Sequence, residues 1–181
     1  MQSDIPSLEP KTPAAERTLE ERLAAVRALM LEVEGVLTDG RSLLAPDGSE
    51  SLFTFRPDIW ALEGWLAAGR GLVLISRPGL AAAEALAQRL GALYRPAGGD
   101  RGLLLKQTAF DLACKTEQVC YLGRDLDDLP ALTIAGLAAC PPQAPAWVRE
   151  ACHLVSEAPA GMGAVREVVD RLLADWVPEE I

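Results

Sequence analysis

From about residue 25 onward, short apolar runs alternate with stretches in which apolar and charged positions recur at helical spacing. The runs fall at 28–31, continuing to 36–37, and at 71–75, 92–94, 119–122, 137–140 and 154–155. They are apolar at successive positions rather than at every second one, as in strands buried on both faces. Helical patterns cover 58–68, 80–90, 101–113, 127–135, 144–151 and 163–176, with a further helix predicted over 17–26. Strand and helix taking turns predicts an α/β fold, a Rossmann-like and mainly parallel sheet flanked by helices. Residues 41–56 break that rhythm. There Pro46-Asp47-Gly48 separates two short apolar or aromatic runs, which predicts a β-hairpin inserted after the first strand. The organisation is then a polar, proline-containing tail over 1–16 and a single domain over 17–177.

Charge and composition remove several function classes. With 17 basic against 26 acidic side chains and a net charge of −9, the chain lacks the basic face that nucleic acid requires. A hydrophobic content of 50% excludes a disordered chain, and no apolar run is long enough for a membrane span. The tail has neither the basic nor the apolar region of a secretory signal. The 4 cysteines, Cys114, Cys120, Cys140 and Cys152, have no CxxC spacing and are expected to be reduced thiols of a cytoplasmic protein. His153, the only histidine, has no metal-ligand pattern around it and is expected to be structural.

Chemistry in an open parallel sheet gathers outside the C-terminal strand ends. Those ends read Leu31-Glu32-Val33-Glu34-Gly35, Ile75-Ser76-Arg77-Pro78 and Leu122-Gly123-Arg124-Asp125-Leu126-Asp127-Asp128. Glu32 and Glu34, two apart, would share one face of a strand, and carboxylates at the end of a buried strand are costly unless paired or used. Phe53 and Phe55 alternate onto one face of the hairpin, a surface suited to assembly or to core packing.

The order of these features resembles the haloacid dehalogenase superfamily, and within it the phosphatases acting on 3-deoxy-D-manno-octulosonate 8-phosphate. Glu32-Val33-Glu34-Gly35-Val36-Leu37-Thr38-Asp39-Gly40 stands where that family opens with D-x-D-G-V-L-T-D-G. Gly123-Arg124-Asp125-Leu126-Asp127-Asp128-Leu129-Pro130 stands for its G-D-D-L-x-D-x-P loop, and Gly161-Met162-Gly163-Ala164-Val165-Arg166-Glu167 for its G-x-G-A-V-R-E stretch. The resemblance implies a nucleophile at Glu32, a proton donor at Glu34, a phosphoryl-binding hydroxyl at Ser76 and a third-motif cation at Arg101. It also implies substrate contact at Asp58, within a stretch that has otherwise lost the family's R-D-G-x-G, so that Ile59 and Trp60 are expected to close the pocket. Hairpins of this family build tetramers, so a homo-oligomer is expected, with no nucleic acid or membrane partner.

Where the chain departs from the family, the chemistry changes. Both opening aspartates are glutamates, each carboxylate moved by one methylene, and a misplacement of about 1 Å can cost on the order of 10²-fold in rate. Arg124 stands at a metal-ligand position, where a guanidinium removes one oxygen and adds repulsion of about 8 kcal/mol against a dication at about 4 Å. No resident metal is expected, and Arg124 is expected to pair with Glu32 or Glu34 in its place. The reading is a non-catalytic phosphatase fold. The alternative is an active phosphatase of a phosphorylated sugar acid, with Glu32 attacking phosphorus and Mg²⁺ held by Glu32, Asp125 and Asp128.

Overall fold

The computed structural model describes residues 17–174; the expected tail over 1–16 and residues 175–177 of the expected domain lie outside them. The elements run α1 (Leu19–Ala25), β1 (Ala28–Glu32), β2 (Ser42–Leu44), β3 (Glu50–Leu52), α2 (Arg56–Ala67), β4 (Gly71–Ser76), α3 (Ala81–Leu90), β5 (Leu93–Pro96), α4 (Arg101–Asp111), β6 (Val119–Leu122), α5 (Leu129–Ile134), β7 (Leu137–Cys140), α6 (Ala146–Ala151), β8 (Leu154–Val155) and α7 (Ala164–Leu172). The helix read over 127–135 begins as a tight 3₁₀ turn, Leu126–Asp128, before α5.

Six strands form one parallel sheet in the order β5-β4-β1-β6-β7-β8, and β2 and β3 form a separate antiparallel hairpin. The chain builds outward from β1 through β4 to β5, then returns to the other side of β1 with β6. That reversal opens a crevice at the C-terminal ends of β1 and β6.

The continuous apolar runs follow from burial on two faces. Leu29, Leu31, Leu72, Leu74, Cys120 and Leu122 point to one face, where α2, α3 and α7 cover them. Met30, Val73, Ile75, Val119 and Tyr121 alternate onto the other, under α4, α5 and α6.

Trp65 and His153 take structural roles, while Trp60, Phe53 and Phe55 stay exposed. Trp65 is fully buried and its indole donates to the Gly71 carbonyl at 2.7 Å, whereas Trp60 is 57% exposed. Ile59 enters the core, so the two residues expected to close a pocket diverge into core and solvent. Phe53 and Phe55 lie just past the end of β3 and remain exposed. His153 Nδ1 accepts the Ala138 N–H at 2.9 Å while its own N–H reaches the Ala138 carbonyl, which fastens the chain before β8 to β7.

Candidate functional site

After Glu32 the chain leaves β1 in a wide turn, Val33–Leu37, closed by a side chain. The buried Thr38 hydroxyl donates to the Val33 carbonyl at 3.0 Å and accepts from the Gly35 and Gly40 N–H groups, each at 3.3 Å. The turn sends the two acids in different directions, so they do not share a strand face. Glu32 stays over the sheet end. Glu34 faces β4, where it accepts the Arg77 N–H at 3.3 Å and pairs with the Arg77 guanidinium at 3.6 Å. Arg77 also pairs with Glu50 of β3, which ties the hairpin to the turn.

Glu32 lies in an almost dry cluster. Arg101, at the first turn of α4 and 8% exposed, pairs with Glu32 at 3.4 Å and approaches Asp128 at 3.8 Å. Asp128 is fully buried and its acceptors are taken. Oδ1 accepts the Tyr121 hydroxyl at 2.6 Å, and Oδ2 accepts the N–H groups of Arg124 and Asp125 at 2.7 and 2.9 Å. Gly123 makes this possible, because a Cβ there would stand 2.7 Å from the Asp128 carboxyl carbon. Burial first, then the neighbouring Asp128 charge, push the Glu32 carboxyl up to about 8, against the pull of Arg101. Burial beside Asp128 therefore favours the protonated form of Glu32.

Arg124, expected from the sequence to pair with Glu32 or Glu34, pairs with neither. Among the described residues the Arg124 guanidinium has no acidic partner; Arg101 and Arg77 hold the two glutamates instead. The loop after β6 lays Arg124 flat against Gly35, where a Cβ would come within 2.3 Å of Nη1. Gly35 has φ of +74°, which a side chain would resist in any case. Asp58 is corrected too. It is fully buried, and its carboxylate accepts the N–H groups of Gly163 and Arg166 at 3.1 and 2.7 Å, capping α7 rather than facing a cleft. Ser76 sits at the end of β4 as expected, with its hydroxyl 3.1 Å from the Tyr94 hydroxyl. Asp125 is exposed, and its Oδ1 accepts the Leu126 N–H at 2.8 Å.

Glu32, Glu34, Arg77, Arg101, Arg124, Asp125, Asp127 and Asp128 open on one small cleft of about 200 Å³. Tyr121, Arg77 and Tyr94 join the site without a motif to mark them; Tyr121 and Tyr94 each stand as a polar-tipped residue in an apolar run. The donor set does not fit Mg²⁺. That ion takes free, hard oxygens in near-octahedral array. Here Asp128 accepts the Tyr121 hydroxyl and two backbone N–H groups, Glu34 is paired with Arg77, Asp125 is exposed with one oxygen on the Leu126 N–H, and Arg124 adds its charge at the rim. Among the described residues no three acids, cysteines or histidines cluster as a metal centre.

No family model matches the chain. Individual proteins do. It is 33% identical over 152 residues to an N-acylneuraminate cytidylyltransferase of Oncorhynchus mykiss, covering 82% of this chain but only 35% of that enzyme. It is 30% identical over 155 residues to the 3-deoxy-D-manno-octulosonate 8-phosphate phosphatase of Yersinia pestis, covering 84% of this chain and 82% of that one. Among solved structures, the Moraxella catarrhalis phosphatase of the same name, in complex with magnesium, phosphate and the sugar acid KDO, superposes with a TM-score of 0.81 at 25% identity. That match covers 86% of this chain and 90% of that one. With the parallel sheet, the hairpin after β1 and the motifs at the strand ends, these likenesses identify the chain as a member of the 3-deoxy-D-manno-octulosonate 8-phosphate phosphatase family, within the haloacid dehalogenase superfamily.

Proposed function

We propose that this chain is a non-hydrolysing member of its family, a phosphatase fold whose opening acids are occupied by the protein's own groups. The observation that carries the reading is the fate of the acids. Burial beside Asp128 pushes Glu32 towards its protonated form, Glu34 is paired with Arg77, and Asp128 accepts the Tyr121 hydroxyl and two backbone N–H groups. An attacking carboxylate must be ionised and free to reach phosphorus, and a proton donor must be free to face the leaving group. Neither glutamate meets its requirement. On this reading Arg101 and Arg124 supply the positive charge of the cleft, and no metal resides there.

The same reading takes the protein to be cytoplasmic and homo-oligomeric, a tetramer joined through its hairpins. Leu43, Leu44 and Phe53 support the second part, standing 59%, 67% and 66% exposed on or beside the hairpin, an apolar display large for a free surface. No described helix is long and apolar enough to cross a membrane.

The test is phosphate release from 3-deoxy-D-manno-octulosonate 8-phosphate and from an aryl phosphate, with and without Mg²⁺, using Glu32→Ala as the contamination control. The expected result is release no greater than the variant's. Magnesium-dependent release that vanishes in Glu32→Ala would overturn the reading and make Glu32 a working nucleophile.

A further inference from the structure

Arg124 opens on a second cavity besides the acid cleft. This one has a volume of about 480 Å³, within the range of small-molecule sites, and shares only Arg124 and Asp125 with the cleft. Its walls come from the loops after β7 and before α7, with Pro141, Pro159 and Met162 supplying apolar surface. Two polar donors face no protein acceptor. The guanidinium of Arg124, backed by Gly35, spends none of its five N–H groups on an acceptor among the described residues. Gln143 accepts the Ala160 N–H at its Oε1, 3.2 Å away, which leaves its amide Nε2 as a donor on the pocket wall. The acids present are accounted for: Asp39 is paired with Arg41 at 2.8 Å, and Asp125 is exposed and caps Leu126.

We propose that this cavity binds a small organic anion, a carboxylate or phosphate carried on a compact apolar body. The Arg124 fork takes two anion oxygens in parallel, a geometry a lysine ammonium cannot supply. Gln143 donates a further hydrogen bond, and the prolines and Met162 cover the body. A guanidinium without an acceptor among the described residues, held against a glycine in a cavity that mixes polar groups with proline and methionine surface, is what such a ligand needs. The proposal goes beyond the non-hydrolysing reading and stands apart from it, because binding is read without turnover.

The experiment is calorimetric titration of the full chain with benzoate, with phenylphosphonate and with neutral benzyl alcohol. At least one anion is expected to bind saturably and the alcohol about tenfold more weakly or not at all; Arg124→Gln is expected to weaken the anion by about ten- to a hundredfold. Met162→Trp, at an exposed wall position away from the guanidinium, should block the same pocket and serves if Arg124→Gln does not fold. Glu32→Gln should leave the affinity unchanged. Preference for benzoate names a carboxylate ligand, and preference for phenylphosphonate names a phosphate. Three results would overturn the proposal: no saturable binding of either anion, equal binding of the alcohol, or affinity unchanged in the pocket variants. Loss of binding in Glu32→Gln would do the same, by placing the anion in the acid cleft.

Discussion

Arg101 and Arg124 flank the same carboxylates, yet the fold treats them in opposite ways. Arg101 enters from the first turn of α4, is 8% exposed and lies between Glu32 and Asp128. Arg124 enters from the loop after β6, is half-buried and has no acidic partner among the described residues. A buried cation among acids holds a cluster together, and removing it leaves charge without compensation. A half-buried cation with water at hand holds nothing that solvent cannot replace. The contrast separates an arginine that belongs to the architecture from one that is free to meet a ligand.

The sharpest way to break the contrast is to delete the buried partner. Arg101→Ala should lose about 3 kcal/mol of stability by urea denaturation at neutral pH, since Asp128 stays buried beside a second acid. A loss well under about 1 kcal/mol would make the two arginines equivalent.

The next effect is a pH dependence. Glu32 titrates near its ordinary 4.5 when unfolded and at about 8 when folded. Its contribution is therefore complete below the unfolded value, declines as pH rises between the two, and is gone above about 8. Thermal melts of wild type and Glu32→Gln should diverge across that window, the variant gaining on the order of 4 kcal/mol relative to wild type from about pH 5 to about pH 9. Parallel curves would mean that Glu32 is ionised in the folded protein.

Asp58→Ala should cost about 1.5 kcal/mol through the lost cap of α7, measured by the same denaturation. Smallest is Arg124→Ala, expected to change stability by no more than about 0.5 kcal/mol. A marked loss there would restore the pairing with a glutamate that the sequence alone had implied.

The strands of the fold were legible because burial on both faces writes unbroken apolar runs, and each run in 71–75, 119–122 and 137–140 became a strand. The hairpin was legible through Pro46-Asp47-Gly48, with the Asp47 carboxylate accepting the Ser49 N–H at 2.9 Å. Within the site, Arg101 could be placed because a helix start fixes where its first side chains stand. Arg124 could not, since spacing along a loop does not say on which side of Gly35 a long side chain will lie. Asp58 was misread for a different reason. Its partners, Gly163 and Arg166, are remote in sequence, so nothing local marks it as the cap of a distant helix.

The contact between Arg124 and Gly35 also constrains how this lineage can change. A side chain at 35 and a guanidinium at 124 exclude each other in the present arrangement, so Gly35 is held both by its positive φ and by the arginine lying against it. The family's acid at 124 would leave Arg77 paired with Glu34 and Glu32 buried beside Asp128. On the proposed reading, turnover would therefore need changes at 124, 34 and 32 together, and no one substitution at the rim supplies it.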